Sequence, residues 1–506
     1  MGAHRSPWRL ARTLEPARSL DEDISTDVCV IGAGMSGMLC ALELAERGRS
    51  VVVLDRSPLG AGDTSATTAH LTAVLDTRYF ELEKMHGADA AKRIASSHLR
   101  GIAHLERVAN KYAIECQLRR VSGFLCSANE EQEKLLVKEH AAANRAGLSC
   151  QLVRQSPLAL TAGPALHVPG QGQFEPLAFL SGVADALTKR NVPIYAPVSV
   201  IEVDSRSSTE AAALKTAEGH TVRARYVVVA THTPVNDIAT LHTKQAPYRS
   251  YVVAVQSTAV EPYLAWDMDD PYHYARYGWD GDTGQPVLIV GGNDHRVGQD
   301  SDSQDNFRKL ESWARERFPS TGRLISEWSG QVFEPSDGLA FIGKNPGDER
   351  VFVLTGFSGN GMTYSGLGAE LVADLIEGKS NPHSELYAPS RQPHSASALA
   401  DFVRENFNTA AQYVDWVAPA DVSNAEEIPR GQGAVLRRGL RRVAVYVDDA
   451  GERHELSATC PHLGGVVSWN SAEKSWDCPC HGSRFDCHGK LITGPAVSDL
   501  ERSPPK

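Results

Sequence analysis

No stretch of this sequence approaches the roughly 18 consecutive apolar residues of a membrane-spanning helix, so no membrane span is expected. Positive charge is also scarce: 51 Lys and Arg stand against 62 Asp and Glu, a net −11. That balance argues against non-specific nucleic-acid binding and leaves no basic patch for a lipid surface. The opening MGAHRSPWRLARTLEPARSLDEDIS has basic residues but no continuous apolar core, so a secretory signal is not expected and the reading is cytoplasmic. An even, secreted cysteine framework is missing too, since there are nine cysteines. With 42% hydrophobic and 22% charged residues and no long biased tract, the composition is that of a globular protein. At 506 residues the chain is too long for one core and should hold two or three domains.

Five of the cysteines, Cys29, Cys40, Cys116, Cys126 and Cys150, are scattered among apolar residues and read as small buried hydrophobes. The other four, Cys460, Cys478, Cys480 and Cys487, crowd into 28 residues with His462 and His481 among them and His488 directly after. That cluster needs a chemical explanation.

Chemistry is also legible at the other end of the chain. In TDVCVIGAGMSGMLCALELAERGRSVVVLDR a short apolar strand, Val28 to Ile31, precedes Gly32, Gly34 and Gly37 in G-x-G-x-x-G spacing. A helix from Met35 to Arg47 and a second strand ending at Asp55 complete the βαβ dinucleotide fingerprint. Gly32 allows the tight turn, Gly34 lets backbone approach a pyrophosphate at the helix N-terminus, and Gly37 permits close packing of helix on strand. Asp55 is placed to accept hydrogen bonds from the adenosine ribose.

The triplet alone does not separate FAD from NAD. Three further segments bear on the choice: the hydroxyl-rich SPLGAGDTSATTAHLTAVLD, the strand and turn TVRARYVVVATHTP, and PSDGLAFIGKNPGDERVFVLTGFSGNGMTYSGLGAELVADLIEGK. In the last, a strand from Val351 to Leu354 leads through a glycine-rich turn into a helix starting near Gly361, whose N-terminus suits a reduced flavin. Together these segments resemble the D-amino-acid-oxidase-like family of FAD-dependent oxidoreductases over residues 24–391. The resemblance implies a two-lobed α/β fold, with a Rossmann-type FAD-binding half and a mixed-sheet lobe over the flavin's reactive face. It places Gly32, Gly34, Gly37, Asp55 and Val198 on the ADP part. Ala66, Thr67 and Thr68 fall near the diphosphate or flavin, and Gly356, Gly359, Gly361, Met362 and Thr363 near the ring. His70 lies where family members that oxidise methylated glycines carry covalent FAD. Alanine precedes it where tryptophan is usual, so a hydrogen-bonding pocket histidine is the alternative. No second nucleotide fingerprint is visible, and LIVGGNDH, Leu288 to His295, reads as a strand with its turn.

The chain divides into an extension (1–23), the FAD-dependent domain (24–391), a polar linker (392–418) and a small β domain (419–506). In the linker Leu399, Phe402, Val403, Phe407 and Ala410 recur near helical spacing, as in an interdomain strut. From Gly433 the texture changes to short strands and turns. Two boxes follow, Cys460-Pro461-His462 and Cys478-Pro479-Cys480-His481, with 15 residues between them. Two cysteines and two histidines suit zinc, but zinc fingers pair like with like. Here each box supplies one ligand of each kind, as a Rieske [2Fe-2S] cluster needs. Residues 419–503 resemble a Rieske domain, a small all-β fold. The resemblance puts Cys460 and Cys478 on the buried iron and His462 and His481 on the exposed one. Respiratory Rieske proteins end the first box in a cysteine bonded to the middle cysteine of the second. Gly465 stands there, so Cys480 has lost that partner, and Cys487 is a further candidate to pair with it. Ser483 is retained as a donor to cluster or ligand sulfur, whereas Phe485 replaces a tyrosine.

A flavin takes two electrons and the cluster carries one, so the pair can act as a two-to-one converter. The expected function is therefore an FAD- and [2Fe-2S]-dependent oxidoreductase acting on a small molecule, an amine or amino acid, with electrons passing to an external acceptor. Reverse flow from an external donor, or a redox sensor, are the alternatives. No mononuclear-iron facial triad is evident, which disfavours a ring-hydroxylating oxygenase. Catalytic residues are not identified: His232, Tyr251, His273, Tyr274, Arg276 and His295 lie in the half expected to cover the flavin, and Arg276 is a candidate to hold a substrate carboxylate.

Overall fold

The computed structural model describes residues 5–502 apart from 12–13, 15–16, 158–162, 208–209, 236–240, 260–261, 281–282, 300–302, 393–398, 400–402, 405–407, 409–415, 417–420 and 440. Most of the linker, including Phe402, Phe407 and Ala410 of its expected helix, lies outside the described residues.

Runs of β-branched residues buried on both faces are the mark of a central parallel strand. Ile24–Ile31, Val51–Leu54, Thr221–Val229 and Val351–Thr355 have that character and form the parallel centre of an eight-stranded sheet. Ile31 pairs with Leu54 on one side and Val229 on the other, and Val229 in turn with Val353. These strands therefore end level, and the loops that follow them open along one edge, where α/β sheets bind ligands. The helices Met35–Glu46 and Gly361–Ile376 start at that edge and are tied by a 2.7 Å hydrogen bond between Ser36 Oγ and Ser365 Oγ. Phe341–Lys344 adds an antiparallel edge strand.

A nine-stranded mixed sheet stands over that edge. Its long strand Gln245–Ser257 pairs antiparallel with Thr321–Pro335 and with Pro286–Arg296, while Tyr263–Trp266 runs parallel to Arg119–Cys126. The segment LIVGGNDH is a strand of this sheet. The short strand His70–Leu71 joins its far edge, so one segment links the loop after Val51–Leu54 to the covering sheet. Phe307, Leu310 and Trp313 of the helix Ser303–Arg317 seal the sheet's outer face.

The C-terminal part is all β. Gln432–Arg438, Arg441–Val447 and Arg453–Ser457 form one antiparallel sheet, and Ser468–Asn470, Ser475–Asp477, Arg484–Asp486 and Leu491–Thr493 a second. Trp476 and Phe485 are wholly buried between them. Among the described residues no helix is long and apolar enough to cross a membrane.

Candidate functional site

A continuous cavity of about 1050 Å³ runs along the edge where the parallel strands end. At one end it is walled by Gly32, Gly34, Asp55, Val198 and the first turn of the helix Met35–Glu46. Gly32 has φ +111°, and a Cβ there would lie 2.3 Å from the Ala230 carbonyl oxygen, so only glycine makes this turn. Asp55 accepts from the Ala33 and Ser57 amides at 2.6 and 2.7 Å, and burial raises its pKa. Ala66, Thr67, Thr68 and His70 line the middle, and Gly359, Gly361 and Met362 the inner end. The long shape, the two helix N-termini and the bare glycine backbone fit a dinucleotide with a ring system at the inner end.

Three expected residues stand behind this surface. Gly37 packs against Gly32, Gly356 (φ +71°) against Pro335 and Gln245, and Thr363 hydrogen-bonds the Thr72 backbone. His70 is buried, bonded through Nδ1 to Thr68 Oγ1 at 3.1 Å and set between Trp266 and Tyr274. Burial, with Arg276 adding to it, lowers its pKa to about 3, so it is neutral at pH 7.

Of the six candidates, His232 and Tyr274 reach the cavity and the others do not; His232 belongs not to the covering half but to the turn after the parallel strand Thr221–Val229. Tyr251 and His295 bond each other at 2.9 Å, and His273 pairs with Asp267. Arg276 donates to the Ala69 and Phe174 carbonyls and lies over Trp8, so it is committed elsewhere and does not wait for a substrate carboxylate. Sequence reasoning missed Asp76, Tyr272, Asp294 and Gln331, all of which line the cavity. They come from four separate segments, and no spacing rule links them.

The two boxes form two loops with one hydrogen-bond pattern. Cys460 N–H donates to Gly465 O and Cys478 N–H to Ser483 O, both at 2.8 Å. Gly464 N–H closes on Cys460 O and Gly482 N–H on Cys478 O, both at 3.0 Å. Gly464 and Gly482 have φ +76° and +78°, so each loop turns on a glycine at the same place. Cys460 and Cys478 are buried side by side, within side-chain hydrogen-bond reach of each other. Ser483 hydrogen-bonds Cys460. The His462 and His481 rings stand edge to face at 5.1 Å. Burial, then His242 and His462, lowers the His481 pKa to about 3, which keeps it in the neutral form that binds metal. Two thiols on the inner side and two imidazoles on the outer fit a [2Fe-2S] cluster. All nine cysteines are free, so Cys480 and Cys487 are unpaired with each other.

These loops abut the lobe built of the two larger sheets. Gln331 Nε2 donates to the Gly482 carbonyl at 2.9 Å, and a Cβ on Gly482 would lie 2.3 Å from that nitrogen. His242 of the lobe packs its ring on both His462 (4.9 Å) and His481 (5.7 Å). Arg249 Nη2 bonds Asp477 Oδ2 at 2.9 Å inside the interface, where Asp477 also meets Arg484. Although burial alone would raise it, Arg484 and Arg249 hold Asp477 down to about 2. Glu473 and Arg484 of the C-terminal domain are themselves part of the cavity wall.

Residues 27–375 match the family model "FAD dependent oxidoreductase" and residues 418–504 the model "Rieske [2Fe-2S] domain". YhfW of Bacillus subtilis, named as a Rieske 2Fe-2S iron-sulfur protein, is 29% identical over 500 residues, covering 98% of this chain and 96% of its own. The gamma-glutamylputrescine oxidoreductase of Escherichia coli is 26% identical over 386 residues, covering 73% of this chain and 87% of its own. Among solved structures, glycine oxidase from Geobacillus kaustophilus superposes with a TM-score of 0.62 at 21% identity, covering 73% of this chain and 99% of that one.

Proposed function

The chain belongs to the FAD-dependent oxidoreductase family and carries a Rieske [2Fe-2S] domain after it, and from that premise we propose that it oxidises an amine or amino acid and passes the electrons through the Rieske domain to an external acceptor. The observation that carries this reading is the shared wall: Gln331 lines the cavity and, through its side chain, holds the Gly482 carbonyl next to His481. A docking this close gives the two centres a reason to occupy one chain.

Gly32, Gly34, Asp55 and Val198 would hold the ADP half of FAD, with Ala66, Thr67, Thr68, His70, Gly359, Gly361 and Met362 along the rest. Cys460, His462, Cys478 and His481 would hold the cluster. Bound FAD supplies acceptance of two electrons from a C–N bond, and the cluster supplies one-electron carriage. The protein's own part is positioning and exclusion. Trp328, fixed by its Nε1 bond to the Ala66 carbonyl at 2.8 Å, and Trp266 shield the inner end from water. Gln331 is held from both sides, its amide on Asp63 Oδ1 at 2.9 Å and its side chain on the cluster loop.

Anaerobic mixing with a panel of amines and amino acids tests the reading, with flavin bleaching followed optically and the cluster by EPR. The expected result is bleaching by one class with an EPR signal from the reduced cluster. His481→Ala should keep flavin reduction and lose turnover with an artificial one-electron acceptor. Failure of every compound in both classes to bleach the flavin would overturn it.

A further inference from the structure

Among the described residues, the inner end of the cavity holds acids and no Lys or Arg. Its four basic wall residues, Arg9, Arg56, Arg484 and Lys490, lie elsewhere. Arg9 is near Glu473 and Asp63, Arg56 beside Asp55 and Asp499, Arg484 on Asp477, and Lys490 in the C-terminal domain's loop. Around Gly359 stand Asp76, Tyr272 and Asp294. A Cβ on Gly359 would be 3.0 Å from Asp76 Oδ2 and 4.0 Å from the Tyr272 hydroxyl. The Tyr272 hydroxyl donates to Asp294 Oδ2 at 3.3 Å, and Tyr274 bonds Ser250 at 2.9 Å.

Asp76 is an exposed residue in the interior, and the surface it exposes belongs to the cavity. Asp294 Oδ1 is sealed and accepts no hydrogen bond. Glu334 adds a third negative charge close to Tyr272. The basic neighbours of the two acids, Arg78 by Asp76 and His273 by Asp294, do not line the cavity. Arg78 is tied to the Leu75 carbonyl and His273 to Asp267. Two carboxylates facing one cavity without a counterion are costly, and burial, with Asp76 adding to it, raises the Asp294 pKa to about 7. A ligand carrying positive charge would remove that cost, whereas a ligand carboxylate would add to it.

We propose that the substrate is a cationic amine without a carboxylate, a diamine or polyamine, with one ammonium group held between Asp76 and Asp294. This rests on the amine-oxidising reading above and narrows it, excluding free amino acids. The tyrosine hydroxyls and Ser250 supply the polar surroundings, and Trp266 and Val252 the apolar ones for a methylene chain.

Cadaverine and lysine differ only in the carboxylate, and pentylamine lacks the second ammonium, so the three separate the charges. With the FAD-loaded holoenzyme, calorimetric titration and anaerobic flavin bleaching are measured in parallel. Cadaverine should bind at least about tenfold more tightly than lysine and more tightly than pentylamine. Asp294→Asn and Asp76→Asn should each weaken cadaverine by about tenfold, at unchanged flavin content, and should narrow the gap between cadaverine and lysine. If lysine binds and bleaches better than cadaverine, the substrate class is wrong while amine oxidation stands. If cadaverine binds with that selectivity but nothing bleaches, the oxidation reading falls and the site assignment stands. Equal affinity for all three overturns the inference.

Discussion

A methyl group on Gly37 would sit 1.8 Å from the Gly32 carbonyl oxygen, a distance no relaxation of one side chain can relieve. Gly37→Ala should therefore lower the flavin-to-protein ratio of the purified protein sharply, and an unchanged ratio would show that the turn has slack. His70 belongs to the same scale. Its Nδ1 is already bonded to Thr68 and its ring is packed between two aromatic residues, which suits a pocket histidine. Denaturation in SDS should release all of the yellow chromophore, whereas flavin retained on the polypeptide would mean attachment. At the other centre, Phe485 is wholly buried and carries no hydroxyl, so a donor that stabilises a reduced, more negative cluster is missing. Redox titration should place the midpoint below the upper end of the roughly −150 to +300 mV Rieske range.

At the scale of the element, the two cluster loops are copies of one turn set face to face. Gly465 in the first lies against the second: a Cβ there would be 2.6 Å from Cys480 Sγ and 3.2 Å from Cys478 Sγ. The position vacated by the respiratory cysteine therefore still faces its former partner. Gly465→Cys, oxidised in air, should form a disulfide with Cys480, seen as loss of two alkylatable thiols by mass spectrometry. Alkylation of both would show that the loops cannot part by the few tenths of an ångström required.

The interface between the lobes is a matter for the whole molecule. Arg249, Asp477 and Arg484 are buried together, so removing this carboxylate strips Arg249 of its ion-pair partner and leaves Arg484 with only the more distant Glu473 and Asp63. Asp477→Asn should cost about 3–5 kcal/mol in denaturant unfolding. The folded pKa of Asp477 lies below the unfolded value of about 3.9, at about 2. Its contribution is thus fully present above about pH 4 and fades as pH falls towards 2. The wild-type minus Asp477→Asn stability difference should shrink over that window, and a difference independent of pH there would contradict the ion-pair account.

The local signals were legible because each depends on a few neighbouring residues. The βαβ fingerprint needs only strand, glycines, helix and acid in order, and Gly32, Gly34 and Asp55 do line the cavity. The paired Cys and His boxes likewise announced two matching loops and a small β domain. What the sequence could not assign was which distant side chains meet. Asp76 and Asp294 are brought to one void only by the covering sheet. Arg276, an attractive carboxylate ligand by position, is diverted to the Ala69 and Phe174 carbonyls. Gln331 meets Gly482, and His242 meets both His462 and His481, only because the C-terminal domain docks on the cavity edge. Cofactor chemistry was determined by short-range backbone geometry, which sequence encodes locally. The charge at the substrate end and the contact between the two centres were decided by long-range packing, which tertiary structure alone fixes.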